Sequence, residues 1–147
     1  MENKTFIIRH KKTLIIATVF ILAGIIIFGL KVSRVNDYNN LSDLIIVDKP
    51  KTDETVLSPL LITGQARGYW FFEAGFPVKI YDSEGNQLGI AVAQTTNEWM
   101  TEDFIPFAAI LEFSKPSSKT GTLVLEKDNP SGLPENDDKL IIPIRFD

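Results

Sequence analysis

The chain has 147 residues, 44% of them hydrophobic and 23% charged, which is enough for one ordinary domain or a smaller one beside a non-globular part. It has no cysteine and a single histidine, His10, which excludes disulfides, thiolate chemistry, multi-histidine metal sites and nucleophile–histidine dyads in the rest of the chain. Residues 1–34 carry six Lys/Arg against Glu2, while residues 35–147 carry nine against eighteen Asp/Glu, and so acidic a body argues against a nucleic-acid partner.

A mean hydropathy of +0.06 is high for a chain this charged, so the apolar residues must be concentrated somewhere. Residues Thr13 to Leu30, TLIIATVFILAGIIIFGL, are eighteen uncharged positions. As a helix they span about 27 Å, close to the hydrocarbon thickness of a bilayer. A backbone in lipid must satisfy its own hydrogen bonds, so a transmembrane helix is expected despite the many isoleucines. A cleaved signal peptide would have a shorter apolar region ending in a small-x-small site, and Gly29-Leu30-Lys31-Val32-Ser33-Arg34 offers none. Arg9, Lys11 and Lys12 crowd the N-terminal flank, with Lys4 behind them, against Lys31 and Arg34 after the run. The positive-inside rule then makes residues 1–12 a basic cytoplasmic segment and places the body outside the cytoplasmic membrane. Residues 31–43, KVSRVNDYNNLSD, are polar with little periodicity and read as a tether.

From Leu44 onward the period is two rather than 3.6. Leu44–Val47 is a first short strand, and Leu60–Gln65 follows with Leu60 and Ile62 on one face. Phe76, Val78 and Ile80 alternate with Pro77, Lys79 and Tyr81, and Asp82-Ser83-Glu84-Gly85-Asn86 turns into Leu88, Ile90 and Val92 as a hairpin. Ile105, Phe107, Ala109, Leu111 and Phe113 form the longest alternating set. Thr120–Glu126 and Lys139–Phe146 complete about seven strands. Pro106 and Pro143 each remove a ladder donor and favour edges or bulges. The count and size predict an all-β, immunoglobulin-like β-sandwich over residues 44–147. A five-stranded oligonucleotide-binding barrel would want a basic, aromatic face on what is here an acidic domain.

Several segments, in order, resemble the immunoglobulin-like domain family of bacterial spore germination, found at the C-terminal end of envelope-anchored proteins. They are Ser58-Pro59-Leu60 with Ile62 to Gly68, Trp70-Phe71-Phe72-Glu73-Ala74 with Phe76-Pro77-Val78, and Trp99-Met100-Thr101. Phe104-Ile105-Pro106-Phe107, Lys127 to Gly132, and Ile142-Pro143-Ile144 with Phe146 complete the pattern. The resemblance covers residues 44–147 and implies an immunoglobulin-like fold outside the membrane, with no catalytic residues to carry over.

Tyr69-Trp70-Phe71-Phe72 is the most informative local feature. Successive strand side chains point to opposite faces, so four adjacent aromatics cannot all enter one core. Trp70, Phe72, Trp99 and Met100 are therefore expected to form an apolar contact surface for an envelope protein or cell-wall partner. Glu73 and Asp103 would orient the loops that carry it, Glu73 through backbone or Arg67 hydrogen bonds. The bland alternative is that these rings plug one end of a small sandwich. Glu73, Glu98, Glu102 and Asp103 suggest a carboxylate hydrolase only if two of them share a cleft, and no spacing pairs them. Asp128-Asn129-Pro130-Ser131-Gly132 lacks the calcium-loop pattern and suits a type I turn. No metal or cofactor is expected, and a structural subunit of an envelope complex remains the other reading.

Overall fold

The computed structural model describes residues 41–147. The basic segment, the apolar run Thr13–Leu30 and the tether up to residue 40 lie outside the described residues, among which no helix is long and apolar enough to cross a membrane. The strands are β1 (Ile45–Lys49), β2 (Thr55–Val56), β3 (Leu60–Arg67), β4 (Gly75–Asp82), β5 (Gln87–Gln94), β6 (Phe104–Leu111), β7 (Thr120–Glu126) and β8 (Lys139–Phe146), most of the longer ones with buried and more exposed residues in alternation. There are thus eight strands rather than seven. The added one, β2, is two residues pairing in parallel with the end of β8, too short to show any period. The first strand starts one residue later than expected and runs on to Lys49 through a register shift after Val47.

The strand order is β1-β3-β6-β5-β4-β7-β8-β2. Between β5 and β6 the ladder is a single register pair, Gln94 with Ala108, so the sheet folds there into two layers, β1-β3-β6 and β5-β4-β7-β8. Their inner faces share one core. Ile62 and Phe107 from the first layer and Phe76, Val78, Leu123, Leu125 and Ile144 from the second are all buried in it. The rings of Phe76 and Phe107 meet edge-on across the layers, 5.0 Å between centroids. This is the immunoglobulin-like arrangement, and burying this apolar surface against itself is its main stabilising term. Pro106 and Pro143 behave as expected. Each pairs with one neighbour, Gln65 and Thr122 respectively, on a strand whose other side carries little ladder.

The phase of β5 differs from the expectation. Ile90 and Val92 point outward, more than half exposed, while Ala93 is buried and Ala91 packs against the core. The register jumps so that Ile80 opposes Gly89 and Tyr81 opposes Gln87, leaving Leu88 as an extra residue. That bulge turns Leu88 onto the core and flips every later side chain by one position. Close packing demands the flip. A Cβ on Gly89 would sit 2.5 Å from the Glu112 carbonyl, so the face toward β6 accepts only small residues.

Asp82 is the one buried charged residue among those described, 4% exposed at the end of β4. Its carboxylate accepts from the Asn86 side-chain amide at 2.9 Å, from the Ser117 hydroxyl at 2.8 Å and from the backbone N–H groups of Glu84 and Asn86. The Asn86 amide leads, burial opposes, and together the donors hold the Asp82 pKa at about 2. A depressed carboxylate stabilises the fold above its unfolded pKa and loses that contribution as pH falls through its folded one. Asp82→Asn is therefore expected to be less stable than wild type at neutral pH. The gap should close as pH drops from about 4 to about 2, measured by thermal unfolding at each pH. A gap that stays constant would contradict the assignment.

Candidate partner surface

Four segments converge at one end of the sandwich because the strands that carry them are in register there. Arg67 closes β3 opposite Phe104, the first residue of β6, so the connection after β3 meets the one before β6. Gly68 N–H donates to the Asp103 carbonyl at 3.1 Å. Asp128 N–H, just past β7, donates to the Trp70 carbonyl, and Arg67 N–H donates to Leu44, which leads into β1. The loop end is thus built from segments 41–44, 68–74, 95–103 and 127–138.

After β3 the chain makes a 3-10 turn, Gly68–Trp70, and then a tight turn in which Phe72 and Gly75 exchange backbone hydrogen bonds at 3.0 and 3.1 Å. Glu73 and Ala74 form its corner, both with positive φ (50° and 64°). Neither is glycine, and each left-handed residue costs about 1 kcal/mol. The tetrad divides two and two, as a one-sided core requires, but its members differ from the expectation. Trp70 is fully buried, with its indole edge-on to Phe76 at 6.5 Å, and Phe71 is buried beside it. Tyr69 and Phe72 are the exposed pair, 49% and 41%. The 3-10 turn rotates adjacent residues by about 120° rather than 180°, so neighbours 70 and 71 share the inward side. Trp70 is therefore withdrawn from the contact surface.

Met100 is exposed and Trp99 half-buried on the loop before β6. Leu133, also exposed, projects from the loop between β7 and β8. That loop is a self-bonded unit. Gly132 N–H closes a turn on the Asn129 carbonyl, and the Asn129 amide donates to Leu133 and Asp137 oxygens. The turn expected from Asn-Pro-Ser-Gly is present. Leu133 was missed, although a lone aliphatic residue in a polar loop was itself the signal.

Asp103 makes two contacts through its backbone: its carbonyl accepts from Gly68, and its N–H donates to Thr101 Oγ1 at 3.2 Å. Glu73 acts through the shape of its turn. Its expected partner Arg67 is engaged elsewhere, donating from Nε to the Asp43 carbonyl and from Nη1 to the Glu102 carbonyl, with its guanidinium 4.1 Å over the Phe104 ring. Glu73, Glu98, Glu102 and Asp103 are all exposed, so none is buried in an apolar pocket of the kind that can raise a carboxyl group into general-acid use. A shallow cavity of about 280 Å³ lies at the opposite end, lined in part by Val56, Leu57, Phe113 and Phe146. Two of its hydroxyls already serve the fold, Ser58 accepting from Phe113 N–H and Ser114 donating to the Leu88 carbonyl.

The family model described as the immunoglobulin-like domain of bacterial spore germination matches residues 44–132, which include most of the loop end. No curated protein and no solved structure matches the chain.

Proposed function

The chain belongs to the immunoglobulin-like domain family of bacterial spore germination, and from that membership we propose that it is a membrane-tethered, extracytoplasmic, non-enzymatic module that holds an envelope partner at its loop end. The observation that carries this reading is the exposure of Tyr69, Phe72, Met100 and Leu133 on three loops at one pole. Large apolar side chains are exposed elsewhere too, Ile90, Val92 and Ile110 along strands and Leu57 at the opposite end. What distinguishes these four is that they stand on three separate loops that meet at one end, where an apolar set left in water supports a contact surface. The apolar run Thr13–Leu30 and its basic N-terminal flank support the tether and the outward orientation.

The lack of cysteine makes both halves of the proposal testable on single-cysteine variants. Asp137→Cys should be labelled by a membrane-impermeant maleimide on intact cells, and Glu2→Cys only after lysis. The reverse pattern would remove the topology. A photo-crosslinking residue at Met100 should trap a discrete envelope partner, and the same residue at Glu84, in the β4–β5 turn, should not. Equal crosslinking from both positions would remove the loop end as the binding surface.

A further inference from the structure

The exposed apolar side chains of the loop end stand in a field of one sign. Residues 41–147 hold seventeen Asp/Glu and nine Lys/Arg. Nine of those acids lie in the four segments that build the loop end, with Lys127 the single cation among them. The remainder of the domain is balanced, eight against eight, with Arg67 and Lys139 at the strand ends bordering the loops. Neither of the ion pairs among the described residues, Lys51–Asp48 and Lys79–Glu126, involves a loop-end carboxylate. The nearby cations bond to carbonyls instead: Arg67 to Asp43 and Glu102, and Lys127 Nζ to Asn136 at 3.2 Å. Gathering unneutralised carboxylates around Tyr69, Phe72, Trp99 and Met100 repels the loops from one another and does nothing for the core. The same arrangement attracts a cation to an aromatic face from both the carboxylates and the ring quadrupoles.

We propose that the loop end receives a basic segment of another protein that alternates lysine or arginine with aliphatic residues. Its ammonium or guanidinium groups pair with Glu98, Glu102, Glu135 and Asp137 and lie over the rings of Tyr69 and Phe72. Its aliphatic side chains pack on Met100 and Leu133, which adapt to them. A lipid surface is the disfavoured occupant, because anionic headgroups meet the same negative field. The inference rests on the loop end being the binding surface and specifies the chemistry of what binds there.

The test uses the full chain in phosphatidylcholine nanodiscs and a fluorescent peptide of alternating lysine and leucine, read by anisotropy. Wild type should bind it, and binding should weaken as salt rises from about 0.05 M to about 0.5 M. Glu98→Gln/Glu102→Gln/Glu135→Gln should weaken it at least about tenfold. Glu54→Gln/Glu84→Gln/Glu112→Gln, which removes as much charge away from the loop end, should change it less than about twofold. Equal losses from the two sets would mean that net charge alone was read, and would overturn the proposal. So would equal binding of a glutamate–leucine peptide, or capture of phosphatidylglycerol vesicles by the nanodisc-held chain. Tyr69→Ser/Met100→Ser separates failure of the loop end as a binding surface from failure of the cationic partner. If it binds the peptide like wild type, and a crosslinker at Leu133 still traps the envelope partner, the loop-end reading falls as well. If it loses both while the loop-end amide set binds normally, only the cationic partner is wrong.

Discussion

Trp70→Ala lowers the stability of the domain by about 3–5 kcal/mol, the range for truncating a fully buried tryptophan. The ring has no solvent exposure, stacks edge-on against Phe76, and sits where the 3-10 turn meets the core. Removing it leaves a cavity against Phe76 and Phe71 that a rigid two-layer core closes only in part. Trp70→Phe should cost far less than the lost area implies, about 1 kcal/mol. The reason is that the indole Nε1 is buried without a hydrogen-bond partner. Phenylalanine keeps an aromatic edge toward Phe76 and removes that orphaned donor, which offsets part of the cavity. Thermal unfolding followed by circular dichroism on wild type and both variants checks this, with Tm falling roughly 4–8 °C per kcal/mol for a domain this size. Similar losses for Phe and Ala would mean that the Nε1 donor is satisfied and the account of the site is wrong. A binding experiment that truncates Trp70 would therefore report unfolding.

Strand positions were legible where one face is apolar and the other carries polar residues, as in β3, β4 and β8, and in β6 by the length of its alternation. In β5 both sets are apolar or small, so the period of two could be read but its phase could not. The bulge at Leu88 that sets the phase answers to the β6 end packing over Gly89, a contact between residues more than twenty positions apart. The aromatic tetrad shows a related limit. That some rings must leave the core followed from strand alternation, but the segment is a 3-10 turn that no residue in Gly68–Trp70 announces, and the turn decides which two leave. The alternation rule therefore assigned Trp70 to the surface when Tyr69 belongs there. The charge asymmetry of the loop end was hidden for the same reason. Its acids come from four separated segments and become one pole only when the strands bring those segments together.

Gly68→Ala tests whether the loop end is held as one surface. Gly68 is buried, and a Cβ there would stand 2.0 Å from the Thr101 carbonyl oxygen and 2.2 Å from that of Trp99. Both obstacles are backbone, so no side-chain rotation relieves the overlap. Either the 3-10 turn lifts or the loop carrying Trp99 and Met100 is pushed away, breaking the Gly68–Asp103 hydrogen bond as it goes. The expected loss is about 3 kcal/mol, the upper part of the range for overpacking. Gly85→Ala is the control, because Gly85 has a φ of +87° with nothing within 4 Å of the added carbon. It suffers only backbone strain, about 1 kcal/mol. Acrylamide quenching separates the two mechanisms. Trp70 is buried and Trp99 half-buried, so displacement of the loop in Gly68→Ala exposes Trp99 and raises quenching below the unfolding transition, whereas Gly85→Ala leaves it unchanged. If Gly68→Ala costs no more than Gly85→Ala and leaves quenching alone, the two loops are not packed as described. If quenching rises, crosslinking from Met100 should fall with it, because the displaced loop no longer presents Met100 beside Tyr69 and the acids around them.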